Sequence, residues 1–227
     1  MKKIILAAMG LGMLTAFGCR RPASALYTSS NRDFQCRVPW AWEVLFDSEG
    51  EHFNDTTFIG PFEPDFYRGV PSLSVRWHSR YSTHRLRDGS LEMYADADDF
   101  IRQTLDSIYG PERVMIKEVQ TIEAAGRPAK YFVVFSYGPA DPQAQWGTVI
   151  RKSTGAKANP RQHAYVVVPM PSGFYVLVYP ATELGFAKYE PQFNALVRSF
   201  TPLKDGPGGA LLEKRRPLFP AGTGTGS

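Results

Sequence analysis

Apolar and polar residues alternate with the two-residue period of a β-strand in the first part of the chain. In residues 34–38, Phe34, Cys36 and Val38 alternate with polar neighbours, so a strand would turn Cys36 toward an apolar face. Further strands are predicted over residues 42–46, 72–77 and 114–122. The strand over 72–77 alternates cleanly, which indicates that one of its faces is less well covered.

Three later segments are almost continuously apolar, at residues 130–137, 163–170 and 173–179. Such runs are typical of strands that are buried on both faces. The turn residues 171–173 predict that the last two form an antiparallel hairpin. The side chains expected to be buried in one sheet are Tyr131, Val133, Phe135, Val166, Val168, Phe174, Val176 and Leu177.

Two segments have helical periodicity. In residues 95–111, the apolar residues recur at helical spacing and Gly110-Pro111 supplies a stop signal. Residues 184–200 carry an aromatic stripe, and the main helix there is expected to begin at about Pro191, because proline is favourable in a first turn. The pattern predicts an α+β fold in which an antiparallel sheet is flanked by helices on both faces.

The N-terminus has the charged start and apolar run of an export signal. The run is shorter than the roughly 20 apolar residues of a spanning helix. Residues 16–19 resemble the lipobox of bacterial lipoproteins, in which the cysteine, here Cys19, is acylated and becomes the N-terminus. The alternative is cleavage at Ala23-Ser24-Ala25, which would release a soluble secreted or periplasmic chain that starts at Leu26.

Charge is unevenly distributed along the chain. Residues 22–200 contain 18 Lys and Arg against 20 Asp and Glu, so the net charge of +4 comes from the two termini. A nucleic-acid partner is therefore not expected, because it requires a basic face on the folded domain. Two basic runs, at residues 76–87 and 151–161, are predicted to be solvated loops that project from the sheet.

Several motifs resemble those of the PsbP-like family, which includes many bacterial lipoproteins. They are the opening Phe34, Val38, Pro39 and Trp42, the turn at 126–129, and the closing pattern over 173–200. The resemblance covers roughly residues 33–201. It implies an α/β/α sandwich that acts as a binding or accessory module, and no photosystem role or metal site is carried over.

These features predict four regions. Residues 1–18 form a lipoprotein-type signal peptide, 19–32 an N-terminal linker, 33–202 the PsbP-like domain, and 203–227 a flexible tail rich in glycine and proline.

No local motif predicts catalysis, a cofactor or a metal site. Asp96, Asp98 and Asp99 could suggest a cation site, but acids at this position cap a helix and complement its dipole. The four histidines lack neighbours that would complete a zinc site, and His163 is one of these isolated residues. Cys36 is expected to be a buried thiol rather than a nucleophile.

The expected function is that of a non-enzymatic lipoprotein of the cell envelope, anchored in the membrane and bound to a protein partner. Two alternatives stay open: a carrier of a small ligand or cation, and an enzyme whose catalytic residues are dispersed in the sequence. The candidate partner-binding residues are those expected at the surface, namely Trp40, Arg80, Arg85, Arg87 and Trp146.

Overall fold

The computed structural model describes residues 23–47, 53–66, 69–85, 91–139, 147–207 and 209. The strands are Ser24–Thr28 (β1), Phe34–Pro39 (β2), Glu43–Asp47 (β3), Phe53–Ile59 (β4), Ser72–Ser79 (β5), His84–Arg85 (β6), Leu91–Glu92 (β7), Val114–Ala124 (β8), Arg127–Pro139 (β9), Val149–Ile150 (β10), Lys157–Pro169 (β11), Gly173–Thr182 (β12) and Thr201–Pro202 (β13). The helices are Ala97–Gln103 (α1) and Phe186–Ser199 (α2), and α1 continues as a π-helix over Thr104–Tyr109.

The main sheet is antiparallel and has the strand order β3-β4-β5-β12-β11-β9-β8, with β10 paired to β11. The hairpin predicted between β11 and β12 is confirmed, and the Met170 N–H closes it by donating to the carbonyl of Gly173. Between β8 and β9 the turn uses Ala125 and Gly126, both with positive φ, which is the geometry of a tight two-residue hairpin. The α+β class is therefore confirmed.

Alternate side chains of the central strands enter two different hydrophobic clusters. The α2 cluster joins helix α2 to residues such as Val133 and Leu177, whereas the α1 cluster joins helix α1 to residues such as Val134 and Val176. Because each central strand contributes to both clusters, its sequence must be apolar at nearly every position. This explains the three continuous apolar runs.

The predicted core residues are buried, with one exception. Phe135 is only half-buried, because its neighbours across the sheet are the polar Gln162 and the exposed Val114. Its ring packs edge-on against Tyr137 instead. The prediction that Phe135 belongs to the fully buried core is therefore wrong.

Helix α2 begins earlier than predicted, whereas the predicted cap of α1 is present. Helix α2 begins at Phe186 rather than near Pro191, so the proline lies inside it. The buried Tyr179 hydroxyl donates to the carbonyls of Gly185 and Phe186, at 3.2 and 3.0 Å, and so stabilises this first turn. At the start of α1, Asp96 accepts a hydrogen bond from the Asp99 N–H at 2.8 Å, which confirms the capping interpretation.

Strand β1 lies inside the segment predicted as a linker and pairs with β2 along its length. At the other end, the N–H groups of Leu203 and Lys204 donate to the Asp33 carbonyl, so the first residues of the predicted tail pack on the domain. The signal peptide and residues 210–227 lie outside the described residues. In the part that is described, no helix has both the length and the apolarity needed to cross a bilayer.

Candidate functional site

The α1 side of the main sheet carries a polar groove of about 350 Å³. The α1 cluster covers β9, β11 and β12, and its apolar members include no residue from β4 or β5. The sheet face beside it is open along residues 55–59 and 72–76. The groove is lined by Leu45, Asp55, Thr57, Ile59, Val70, Ser72, Ser74, Arg76, Ile108, Tyr109, Arg161, His163, Tyr165, Val178 and Pro180.

Strands β4 and β5 form the floor of the groove. Asp55 lies opposite Arg76 and Thr57 lies opposite Ser74 in the strand register, so these side chains meet across the two strands. The Arg76 Nε is 3.3 Å from the Asp55 carboxylate, and the hydroxyls of Thr57 and Ser74 are 2.8 Å apart. Three of these four side chains are short and Arg76 is paired with Asp55, and all four line the open groove.

A buried hydrogen-bonded cluster forms the wall of the groove. The Tyr109 hydroxyl is 2.5 Å from the Nδ1 of His163 and 2.7 Å from the Tyr165 hydroxyl. His163 and Tyr165 lie two residues apart on β11 and therefore share one face of the sheet. Tyr109 comes from the end of the π-helix, a local widening that often occurs at functional sites, and Gly110 with φ of 68° ends it.

Arg161 provides the second cation of the groove. Its guanidinium lies 5.3 Å from the centre of the Tyr109 ring and donates to the Ser136 hydroxyl and the Ile108 carbonyl, at 3.2 and 3.3 Å. Gly138 leaves room for this side chain, because a Cβ there would lie 2.5 Å from the Arg161 Nε.

No acid in the described part of the chain balances the charge of Arg161. Among the described residues its polar partners are a hydroxyl and a carbonyl, and its Nε is buried without a hydrogen-bond partner. Arg76, by contrast, is paired with Asp55. The groove lining thus carries two arginines against one aspartate, which favours an anionic ligand.

Trp40 and Arg80, the two predicted partner-binding residues whose side chains the structure describes, do not line this groove. Trp40 is 47% exposed in the turn after β2, beside a second cavity of about 340 Å³ that Trp42 and Gly60 also line. Arg80 is exposed just beyond the far end of β5. The Arg85 side chain, together with Arg87, Trp146 and Cys19, lies outside the described residues.

Both basic runs contain strand rather than only loop. Strand β5 extends to Ser79, and His78 is 2% exposed because its ring stacks on Phe174 and packs against Phe100. The second run forms a turn and then enters β11, which carries Arg161 on the sheet. The prediction that these runs are projecting loops is therefore wrong for the residues that lie in β5 and β11, whereas residues 152–156 form an exposed turn.

The groove was not predicted from the sequence because its residues come from six separated segments. His163 was interpreted as isolated, although the fold brings Tyr109 to it from 54 positions away. One signal was present: polar residues recur at every second position of β4, β5 and β11 where a covered sheet face would be apolar.

The other candidate residues have structural roles. Cys36 lies in the α2 cluster as predicted, and burial raises the pKa of its thiol to about 12, so it is protonated at neutral pH. Asp99 accepts from the Ala95 N–H at 2.9 Å and is paired with Arg102. Across the described part of the chain, no group of three or more His, Cys, Asp or Glu residues is arranged to hold a metal ion.

No protein-family model matches the chain, and no curated protein matches it. Among solved structures, it is similar to the solution structure of cyanobacterial PsbP (CyanoP) from Synechocystis sp. PCC 6803, with 15% sequence identity and a TM-score of 0.46. That match covers 84% of this chain and 99% of the other. The fold assignment rests on the strands and helices described above.

Proposed function

We propose that this protein is a lipid-anchored, non-enzymatic binding module of the bacterial cell envelope, whose polar groove binds a small anionic ligand. The observation that carries the proposal is Arg161, a groove cation that lacks an acidic partner among the described residues. The ligand class is a carboxylate or phosphate, since arginine pairs with both through charge-assisted hydrogen bonds.

We also propose that helices α1 and α2 lie on opposite faces of the main sheet. The α1 and α2 clusters use alternate residues of the same strands, and alternate residues of a strand point to opposite faces. We infer an α/β/α sandwich of the PsbP-like kind, in which the α1 side is only partly covered. The uncovered part of that face is the groove.

The start of β1 supports anchoring at Cys19. Signal cleavage after Ala25 would cut β1 and remove its pairs from Ser24 to Pro39 and from Ala25 to Val38. Acylation at Cys19 leaves the whole strand in the mature chain. Tyr27, whose ring packs 4.9 Å from that of Phe58, is kept on either route, so the two lost strand pairs are what favours the intact strand.

The size and chemistry of the groove support a small ligand. Its volume of about 350 Å³ is near the lower end of the usual range for ligand pockets. Hydroxyls of Thr57 and Ser74 line it beside the two arginines. A cation is disfavoured because the lining has a positive excess and because Asp96 and Asp99 already cap α1.

The ligand proposal is tested by titrating the purified protein with inorganic phosphate and with malate while following its melting temperature. Binding to the native state raises stability by about 2.7 kcal/mol at a ligand concentration of 100 times Kd. The rise is expected to disappear in Arg161→Gln. It is expected to persist in Arg198→Gln, which removes an exposed arginine from α2. An equal rise in both variants would contradict the assignment of the groove.

The anchor is tested separately by detergent phase partitioning of the protein from a bacterial host. The mature protein is expected in the detergent phase and Cys19→Ala in the aqueous phase. A mature N-terminus at Leu26, measured by mass spectrometry, would contradict anchoring. Arg80, Arg85 and Arg87 remain candidates for contact with an acidic protein partner, which their joint replacement would weaken without unfolding the domain.

A further inference from the structure

We propose that one end of the domain, the Trp40 tip, dips into the headgroup region of the membrane to which the protein is anchored. The Trp40 tip consists of Trp40, Ala41, Pro61 and Phe62, all exposed. This inference rests on the lipid anchor of the proposed function and adds a second membrane contact, made by the folded domain.

The position of the tip follows from the start of β1. The Trp40 N–H donates to the carbonyl of Ala23 at 3.2 Å, so the tip lies where the polypeptide enters the domain. Cys19 precedes Ala23 by four residues, which span at most roughly 14 Å when fully extended. An acylated Cys19 therefore cannot be far from Trp40, and the tip is held near the bilayer surface.

The chemistry of the tip fits a lipid interface. Tryptophan is enriched at headgroup depth, where its ring is in an apolar medium and its N–H remains hydrated. Trp40 is 47% exposed and Phe62 is 61% exposed. Arg20 and Arg21 lie between the anchor and the domain in sequence and would attract anionic headgroups.

The backbone of the tip is shaped to expose Trp40. The Trp42 N–H donates to the Pro39 carbonyl, which closes a turn, and Ala41 within it has φ of 66°. A left-handed conformation is unfavourable for alanine and is often retained where function requires it. The turn directs Trp42 inward, against Tyr189 and Gly60, and leaves Trp40 at the surface.

A lipid surface suits the tip better than a protein partner does. A stable protein interface buries about 800 Å² on each partner, whereas the tip offers a few side chains around a narrow cavity. Two apolar rings held beside a lipid anchor are sufficient to insert at a headgroup boundary, because the anchor already supplies the association. A protein contact at the tip is an alternative outcome of the test.

The experiment uses the full chain, acylated in a bacterial host and reconstituted in phosphatidylcholine–phosphatidylglycerol vesicles whose acyl chains carry bromine. Bromine quenches tryptophan fluorescence only at short range. The wild-type protein is expected to show quenching, and Trp40→Phe is expected to lose most of it. The other three tryptophans are present in both proteins, so the quenching that is lost in Trp40→Phe reports Trp40 alone.

A matched control moves the reporter to the other end of the domain. Tyr81 is 72% exposed just beyond the far end of β5, a strand of eight residues that spans roughly 25 Å. Adding Tyr81→Trp to the Trp40→Phe variant is expected to restore exposed tryptophan emission without restoring bromine quenching. Bromine quenching at position 81 as well as at position 40 would indicate a non-specific contact between the domain and the vesicle and would overturn the proposal.

Vesicle flotation distinguishes failure of the tip contact from failure of the lipid anchor. Protein that floats with the vesicles while Trp40 stays unquenched and accessible to acrylamide would overturn the tip contact and leave the anchor standing. Crosslinking of the tip to another protein under those conditions would assign it to a partner instead. Protein that does not float would contradict the anchor and, with it, the tip.

Discussion

Replacing Gly138 by alanine is expected to impair anion binding in the groove without unfolding the domain. Gly138 lies on β9 opposite Asn159 of β11, beneath the Arg161 side chain. An added Cβ would lie 2.5 Å from the Arg161 Nε and 2.7 Å from its Cζ. Ordinary contact distances begin at about 3.5 Å, so the guanidinium must move by roughly 1 Å.

The change in stability should be small because opposing effects nearly cancel. The backbone at Gly138 does not have positive φ, so alanine fits there and restricts the unfolded chain, which stabilises by about 0.4–1 kcal/mol. Displacing Arg161 weakens its hydrogen bonds to Ser136 and the Ile108 carbonyl. Each such bond contributes about 0.5–1.5 kcal/mol.

Binding should change much more than stability. A hydrogen bond between an arginine and an anion contributes about 1.5–3 kcal/mol, so its loss weakens binding roughly 10- to 150-fold. Calorimetric titration with inorganic phosphate measures the affinity, and urea unfolding of the same samples measures stability. Ser136→Ala is the matched control, since it removes one contact of Arg161 while leaving its position unobstructed. Wild-type affinity in Gly138→Ala would refute the reasoning, as would a loss of binding that follows unfolding.

Three further predictions concern the core and the groove wall. Phe132→Ala should lower the free energy of unfolding by about 3–5 kcal/mol, measured in urea, because the buried ring is stacked 4.8 Å from Tyr165. Tyr109→Phe should cost about 1–3 kcal/mol because the hydrogen bonds to His163 and Tyr165 are lost; an unchanged midpoint would contradict the geometry of the wall. Folding raises the pKa of the Cys36 thiol from 9.0 to about 12. The stabilisation that the buried, protonated thiol contributes is therefore complete below pH 9 and is lost as the pH rises toward 12. A thiol reagent at pH 8 should therefore react only as the protein unfolds, and immediate reaction would show that Cys36 is exposed.

The parts of the fold that depend on short-range pattern could be predicted from the sequence. Continuous apolar runs indicated β9, β11 and β12, because a strand between two clusters has no polar face. Asp96 was identifiable as a cap because the interaction spans three residues. Strand β4 was not predicted, since its groove face carries Asp55 and Thr57 and its covered face includes polar residues as well.

Other features depend on contacts that a local pattern does not contain. His78 lies among arginines in sequence, yet the pairing of β5 with β12 stacks it on Phe174. Helix α2 begins five residues before Pro191, and the Tyr179 hydroxyl, from β12, stabilises this first turn by bonding to the carbonyls of Gly185 and Phe186. In both cases, a tertiary contact outweighs the local preference that the prediction used.

The groove is also difficult to explain as a requirement of folding alone. The sheet face beside the α1 cluster could have been apolar and covered, as it is over β9, yet it carries the Asp55–Arg76 pair and the Arg161 cation. A half-buried ion pair contributes little to stability, and an unbalanced cation costs some of it. Where a sequence departs from the pattern that its fold favours, the departure tends to mark a functional site. The polar positions of β4, β5 and β11 are such a departure, since they keep open a part of this face where Arg161 can reach an anion.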